Sequence, residues 1–345
     1  MQLLHGAIAV SAAAVILFLA PFGRWVRIAL VFGYFPFFEY AVIARPYSLT
    51  LLLVLLACVF FRRRRRSLIG LAILLALLAQ TTAFGLLLSG ALAASLIVDE
   101  LLVRRDEGRP LRPGWHDLAA AAVYVGALAG AVAQIAPPAD ASFGAGFSTP
   151  NVAHGTWPFS VVASALLPLR KPIVGSWGSN PWDEPYGILA GLVLLVIVAL
   201  LARQPAALTC WIVASGSIVA FTMLRFEGQI RHHGHVFIAV LATFWICDSA
   251  RPWPPGVLLR PRAGGRRQWD AVRRTAERLA PIGVGVVLAV QVVAGMTLSV
   301  LDIRFPFSSA EAAADYLRHN RLADQPILGD PDFLGFAVTA HLDRG

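Results

Sequence analysis

The chain has 345 residues, of which 57% are hydrophobic and only 14% are charged, and its formal net charge is +9. A soluble domain usually carries about a quarter charged residues, so the composition excludes an ordinary soluble domain. The basic balance does not indicate a nucleic-acid-binding protein either, because the arginines follow apolar runs, as Arg62–Arg66 do, instead of gathering in one basic domain.

Apolar stretches follow one another along most of the chain. Each is near the roughly 20 residues that span a hydrocarbon core, allowing for short or tilted helices. They predict transmembrane helices at about 3–20, 25–38, 46–61, 67–82, 84–103, 116–135, 186–202, 206–223, 235–250 and 281–301. The expected fold class is therefore an all-α polytopic membrane protein with about ten transmembrane helices in a domain covering residues 1–301.

The loops between these helices differ in charge. When successive loops are placed on alternating sides, most of the 29 Lys and Arg residues fall on one side, in loops around residues 24–27, 62–66, 104–112, 203 and 251–278. The positive-inside rule assigns that side to the cytoplasm. The N-terminus is then outside, and the predicted outer segments are 39–45, 82–84, 136–185, 224–234 and the tail 302–345.

The longest outer loop, 136–185, is rich in Pro, Gly, Ser and Trp. Within it, the apolar stretch Trp157–Leu169 is interrupted by Pro158 and Pro168 and is too short to span the membrane. This pattern predicts an interfacial helix that lies along the membrane surface.

The tail 302–345 is more polar and predicts the start of a small α/β segment at the outer face. Ser308-Ser309-Ala310-Glu311 has the form of a capping box that opens a helix to about His319. Pro326–Leu328 predicts a strand and Asp332–Leu342 a second helix. One strand and two helices bury too little for a core of their own, so we expect the segment to be incomplete or to pack on the membrane domain.

The first polar cluster at the predicted outer side contains Glu39 and, six residues later, Arg45-Pro46-Tyr47. One interpretation is an ion pair between Glu39 and Arg45 that fastens two helix ends. The other is an anion site, in which Arg45 offers a planar guanidinium to a phosphate at a helix N-terminus.

The second cluster is Arg225–His235, which is dense in hydrogen-bond donors and contains Glu227. It predicts a solvated loop, a metal site formed by its histidines, or phosphate or sugar binding by Arg231 with support from His232 and His233. Adjacent histidines rarely share one metal, which disfavours the second interpretation.

A third, weaker cluster contains Arg170, Lys171 and Trp177, followed by Trp182 and Asp183. Aromatic rings with carboxylates are typical of sugar sites, and they are equally typical of loops anchored at lipid headgroups. Both interpretations stay open for this loop.

The stretch Tyr34–Phe61, with Arg45-Pro46-Tyr47 ahead of an apolar helix, resembles bacterial glycosyltransferase family 39. These are GT-C-fold enzymes related to protein mannosyltransferases and to the aminoarabinose transferase of lipid A. The turn Thr81–Phe84 and the helix start Arg231–His235 are similar to the family's polar turn and to its later RH-containing helix. Glu39 is displaced from the family's Glu–x–Arg–x–Tyr-like signature.

The resemblance implies an inverting transfer of a hexosyl or pentosyl residue from a polyprenyl-phosphate donor. The acceptor would be a lipid, a glycan or a protein at the outer face of the bacterial cytoplasmic membrane, and the partners would include membrane lipids but no nucleic acid. The resemblance and the polar clusters together predict a site formed by two groups of residues. The donor phosphate would meet Arg45, Tyr47, Arg231 and His232, and the substrate loop would contain His233, Glu227, Trp182 and Asp183.

The resemblance also implies an acidic general base in the first outer loop. By the parity of the helices, the helix at 3–20 corresponds to the family's second helix, so we expect the first helix, that loop and its base upstream of Met1, with Glu39 as a weaker alternative. The resemblance implies no cofactor other than a divalent metal. Without an assigned base, a transporter, a lipid-handling protein and a structural membrane subunit remain rival functions.

Overall fold

The computed structural model describes residues 2–42, 45–64, 66–135, 157–168, 186–226, 228–252, 263–304, 309–329 and 332–342. Every regular element in these ranges is helical. The elements are α1 (Gln2–Leu19), α2 (Arg24–Val31), a π-helical turn (Tyr34–Glu39), α3 (Tyr40–Val42), α4 (Tyr47–Phe61), α5 (Leu68–Ala79), α6 (Ala83–Asp106), α7 (Trp115–Ile135), α8 (Trp157–Leu166), α9 (Tyr186–Leu201), α10 (Pro205–Leu224), α11 (Ile230–Cys247), α12 (Ala263–Arg304), α13 (Ala310–His319) and α14 (Asp332–His341).

Several of these helices have the length and composition of membrane spans. Within the described ranges, four are long and apolar enough to cross a membrane: Ala83–Asp106, Trp115–Ile135, Pro205–Leu224 and Ala271–Arg304. Arg24–Val31 and Tyr34–Val42 pass the same criteria as a pair bent by 43°. Shorter apolar helices cover Leu3–Leu19, Tyr47–Phe61, Leu68–Ala79 and Gly191–Leu201. The predicted all-helical membrane architecture is confirmed at this level, since helices satisfy their own backbone polar groups in lipid.

The second predicted helix, 25–38, is interrupted. α2 ends at Val31, and the chain resumes after Gly33 as the π-helical turn. Pro36 lies within that turn and has no backbone N–H, so it removes one hydrogen bond of a regular α-helix and disfavours that pattern here. The turn places Tyr34, Phe35 and Phe38 in the core, where each is almost fully buried.

α11 begins earlier than the sequence predicts. It starts at Ile230, so Arg231–His235 form its first turns, and the prediction that residues 224–234 are entirely loop is wrong at this point. The backbone N–H of Gln229 donates to Nδ1 of His232 at 2.9 Å, which fixes the residue before the helix and stabilises the early start. α11 is buried along most of its length.

The predicted interfacial helix is instead internal. α8 covers Trp157–Leu166, and its consecutive residues 161–166 are all buried, so every side of this part of the helix is covered by protein. A helix lying along the membrane would leave one apolar face to the lipid. Gln291 of α12 donates to the carbonyls of Ala165 and Leu166 at 2.9 and 3.2 Å, which satisfies acceptors left free where α8 ends.

The C-terminal segment is described by itself, as a unit that begins at Thr297 and contains α13 and α14 packed on each other. Both helices lie close to their predicted positions. The predicted strand at Pro326–Leu328 is wrong, because these residues form irregular backbone. A lone strand has no neighbour for its N–H and C=O groups, so the α/β expectation fails for the described part of the tail.

Two of the predicted loop arginines are buried in ion pairs. Arg64 donates from Nε to Asp99 at 2.7 Å and from its terminal nitrogens to the carbonyls of Phe61 and Ser249. Asp99 also accepts from the backbone N–H of Arg251 at 2.8 Å. The end of α4, α6 and the end of α11 therefore meet, as expected for segments predicted to share one side of the membrane.

Arg104 is the second internal arginine. It pairs with Glu100 on its own helix at 2.8 Å and with Asp117 of α7. The charges of Arg64 and Arg104 are thus compensated inside the protein, and the basic surface at this end comes from the other arginines.

Candidate functional site

The predicted donor-phosphate residues come from two helix starts. Arg45 is exposed just ahead of α4, and Tyr47 is the first residue of α4. Arg231 and His232 lie in the first turn of α11. The helices therefore place all four residues at the end of the bundle opposite the Arg64–Asp99 ion pair.

A hydrogen bond joins the two helix starts directly. The hydroxyl of Tyr47 lies 2.9 Å from Nε2 of His232, and both side chains are buried. The two rings also meet edge to face, with centroids 5.7 Å apart. This contact links two of the four predicted residues, which lie in segments distant in the chain.

The hydrogen bonds of His232 fix its protonation. A backbone N–H can only donate, so Nδ1 of His232, which faces the N–H of Gln229, carries a lone pair. The proton of the neutral ring is then on Nε2, which donates to the oxygen of Tyr47. The hydrogen of the Tyr47 hydroxyl is left to donate elsewhere, and it has no acceptor among the described residues.

Arg231 combines an anchored backbone with a free side-chain donor. Its carbonyl accepts a hydrogen bond from the hydroxyl of Tyr40 at 2.9 Å. Its Nε is buried and has no hydrogen-bond partner in the described part of the chain.

Gly234 allows the π-helical turn to approach α11. A Cβ at this position would lie 2.3 Å from Cε1 of Phe35 and 2.4 Å from the hydroxyl of Tyr40. Both distances are far shorter than van der Waals contact. Only glycine therefore lets Tyr40 reach the carbonyl of Arg231 with the present packing.

His235 lies one turn below His232 and is fully buried. Its Nδ1 donates to the carbonyl of His232 at 2.9 Å, which leaves Nε2 as an acceptor without a partner among the described residues. The ring stacks on Phe84, with centroids 4.6 Å apart and planes inclined by 18°. Phe84, which follows the Thr81–Thr82 turn, thereby covers one side of the histidine pair.

The three histidines have separate partners. His233 is paired with the hydroxyl of Ser164 on α8 at 2.9 Å, His232 with Tyr47, and His235 with a backbone carbonyl. No group of three metal-ligating side chains lies together within the described ranges. The arrangement thus gives the metal-site interpretation no support, and His233 ties α8 to α11.

Glu39 lies on the π-helical turn and is 2% exposed. It accepts a hydrogen bond from the hydroxyl of Tyr34. No ion pair between Glu39 and Arg45, the alternative considered from the sequence, is found among the described contacts. Within the described part of the chain, the carboxylate belongs to the packing of the turn.

Part of the predicted site lies outside the described residues, namely Glu227, Trp182 and Asp183. Conversely, the structure adds residues that the sequence did not place in the site: Tyr40, Phe84, Ser164 and Gly234. Tyr40 and Phe84 stand in motifs that the sequence singled out, but Ser164 lies in an apolar stretch that gives no signal of its contact with His233.

Comparison of the chain with protein-family models, with curated proteins and with solved structures finds no match. The geometry of the site is therefore the basis for assigning a function.

Proposed function

We propose that this chain is a membrane glycosyltransferase that uses a polyprenyl-phosphate-linked hexose or pentose as its donor. The acceptor is a lipid, a glycan or a protein, and the fold is GT-C-like, as in glycosyltransferase family 39. The observation that carries the proposal is the hydrogen bond between Tyr47 and His232, because it joins two of the predicted phosphate-binding residues across two distant helix starts.

The donor half of the reaction requires positive charge and hydrogen-bond donors where the phosphate leaving group becomes negative. Arg45 and Arg231 supply the charge, and the Nε of Arg231 is available as a donor. The hydroxyl of Tyr47 adds a neutral donor. The first backbone N–H groups of α11 add the positive end of a helix dipole, which favours anions.

His232 has a positioning role in this proposal. Its neutral ring accepts from Gln229 and donates to Tyr47, so it contributes no charge to the phosphate. By occupying the oxygen lone pair of Tyr47, it leaves the hydroxyl hydrogen pointing away from itself and available to a ligand. Loss of His232 would therefore weaken binding through Tyr47.

The proposal places about ten spans in the cytoplasmic membrane of a bacterium, with the site at the outer face. Two observations support the topology. Segments predicted for one side meet at the Arg64–Asp99 ion pair, and segments predicted for the other side meet at the Tyr47–His232 hydrogen bond. The arginine-rich end is assigned to the cytoplasm by the positive-inside rule.

A transporter or lipid-handling protein is the second candidate, because the helix formed by Arg24–Val31 and Tyr34–Val42 is broken and bent by 43°. Broken helices line substrate sites in many transporters. The break is packed with buried aromatic side chains, including Phe35 and Phe38. Among the described residues, Nε of Arg27 on this helix is a buried donor without a partner, as is Nε of Arg231 on α11. The aromatic packing of the break favours the transferase.

The two candidates are distinguished by reconstituting the full chain in vesicles with radiolabelled polyprenyl-phosphate sugars. A transferase moves the label from the polyprenyl lipid to a second lipid, a glycan or a protein. A lipid transporter moves the intact labelled lipid between leaflets and leaves the sugar–phosphate bond in place. Leaflet exchange without any transfer of label would reject the proposed function.

A further inference from the structure

A row of exposed apolar side chains runs along α12 from its arginine-bearing turns into its apolar part. Val272, Leu279, Val286 and Val293 recur every seven residues, about two helical turns, and therefore lie on one side of the helix. All four side chains are exposed. The exposed fractions of Val272 and Leu279, 53% and 51%, are similar to those of Val286 and Val293. The apolar surface thus continues beyond the part of the helix that is free of charge.

The dimensions of α12 place its first apolar residues outside the hydrocarbon core. The segment Ala271–Arg304 has 34 residues, or about 51 Å at about 1.5 Å per residue. A bilayer is about 30 Å thick in its hydrocarbon core and about 40–45 Å with its headgroups. The uncharged stretch 279–301 is about 35 Å long by the same rise per residue and fills the core. Val272 and the arginines that follow it then lie at the level of the headgroups.

The arginines of these turns flank the apolar row. Arg274 and Arg278 are exposed, lie one turn apart, and form no ion pair with any described residue. Arg273, in contrast, pairs with Glu277 at 2.8 Å. Long basic side chains beside apolar residues are suited to the boundary between acyl chains and phosphates, where the stem lies in lipid and the guanidinium meets the headgroup.

We propose that the turns Arg273–Leu279 of α12 form a binding site for anionic phospholipid headgroups, with Arg274 and Arg278 contacting the phosphates, Leu279 contacting the acyl chains, and Val272 contacting the apolar parts of the headgroup region. The inference does not depend on the proposed function, because it concerns the other end of the protein. A second copy of the chain is a poorer occupant of this surface, since Arg274 and Arg278 would face each other across a parallel helix pair and repel.

The test measures the melting temperature of the full chain in a neutral detergent after addition of phosphatidylglycerol or phosphatidylcholine. Phosphatidylglycerol should raise the melting temperature of the parent protein more than phosphatidylcholine does. The double variant R274Q/R278Q should lose more than half of that difference. The matched control R318Q/R321Q, which removes the same charge from the C-terminal segment, should keep it.

Three outcomes would overturn the proposal. One is a full phosphatidylglycerol effect in R274Q/R278Q, and another is an equal loss in the control, which would show that net charge alone matters. The third is the same stabilisation by soluble glycerol phosphate, which would indicate a free-phosphate site. Salt provides a test without variants, because high ionic strength should reduce the phosphatidylglycerol effect on the parent protein; an effect that is insensitive to salt also contradicts the proposal.

Discussion

The hydroxyl of Tyr47 and Nε2 of His232 lie 2.9 Å apart, although the two residues are 185 positions apart in the chain. Tyr47 opens α4 and His232 lies in the first turn of α11, so one hydrogen bond fastens two helix starts.

This hydrogen bond can be tested by a double-mutant cycle of Tyr47→Phe and His232→Phe. Either single change leaves a buried polar group unpaired, at a cost of about 1–3 kcal/mol in the free energy of unfolding. The two costs should not add, because the second change removes a group that has already lost its partner. Unfolding in detergent measures the coupling, and strictly additive costs would show that the bond does not form.

A substitution at Gly234 tests the close packing of the π-helical turn on α11. Alanine there would place its Cβ 2.3 Å from the ring of Phe35. We expect Gly234→Ala to destabilise the protein by about 1–3 kcal/mol, as overpacking of a core does.

Gly216 of α10 provides the matched control for Gly234. It is also within a helix, but nothing lies within 4 Å of a Cβ added to it. Gly216→Ala should therefore be neutral or stabilising by up to about 1 kcal/mol through helix propensity. Equal melting temperatures for the two variants would contradict the packing described for α11.

The buried ion pair at the opposite end is tested by Asp99→Asn. This change leaves the charge of Arg64, which is only 8% exposed, without its partner. Removal of one member of a buried pair typically costs about 3–5 kcal/mol.

The control for Asp99→Asn is Asp248→Asn, which breaks an exposed contact of 3.8 Å with Arg62. An exposed ion pair contributes about 0–1 kcal/mol. If the two variants unfold at the same denaturant concentration, Asp99 does not hold the helix ends together as the structure indicates.

The sequence predicts where apolar helices lie better than it predicts how they begin. The apolar runs locate α1, α4, α5, α6, α7, α9 and α10 within a few residues, although of these only α6, α7 and α10 are long and apolar enough to span a membrane by themselves. It failed for α11, since the hydrogen bond between Gln229 and His232 extends the helix into a polar cluster. It failed for α8 because an apolar stretch of ten residues has the same composition whether it faces lipid or protein.

For the candidate site, too, the sequence predicts some features and not others: it singles out residues but does not predict their contacts. Arg45, Tyr47, Arg231 and His232 could be singled out because polar residues next to apolar runs are costly and therefore informative, and their role in donor binding stays a prediction. Their pairing could not be predicted, because no local pattern relates residues so far apart in the chain. The sequence also did not predict that Arg64 and Arg104 are buried. An arginine in a predicted loop is expected at the surface, because the sequence does not show which acidic residue pairs with it.

Transfer of labelled sugar from a polyprenyl-phosphate donor is the most direct measurement of the proposed function. It should be compared in reconstituted full-length protein, Arg45→Ala, Arg231→Ala and the control Arg66→Ala, an exposed arginine at the opposite end of the bundle. We expect Arg45→Ala and Arg231→Ala to lose at least about a hundredfold in transfer rate, as removal of a charge-stabilising group does, while Arg66→Ala transfers normally and all variants insert into the membrane. Normal transfer by Arg45→Ala and Arg231→Ala, or no transfer by the parent protein from any polyprenyl-phosphate sugar, would contradict this account.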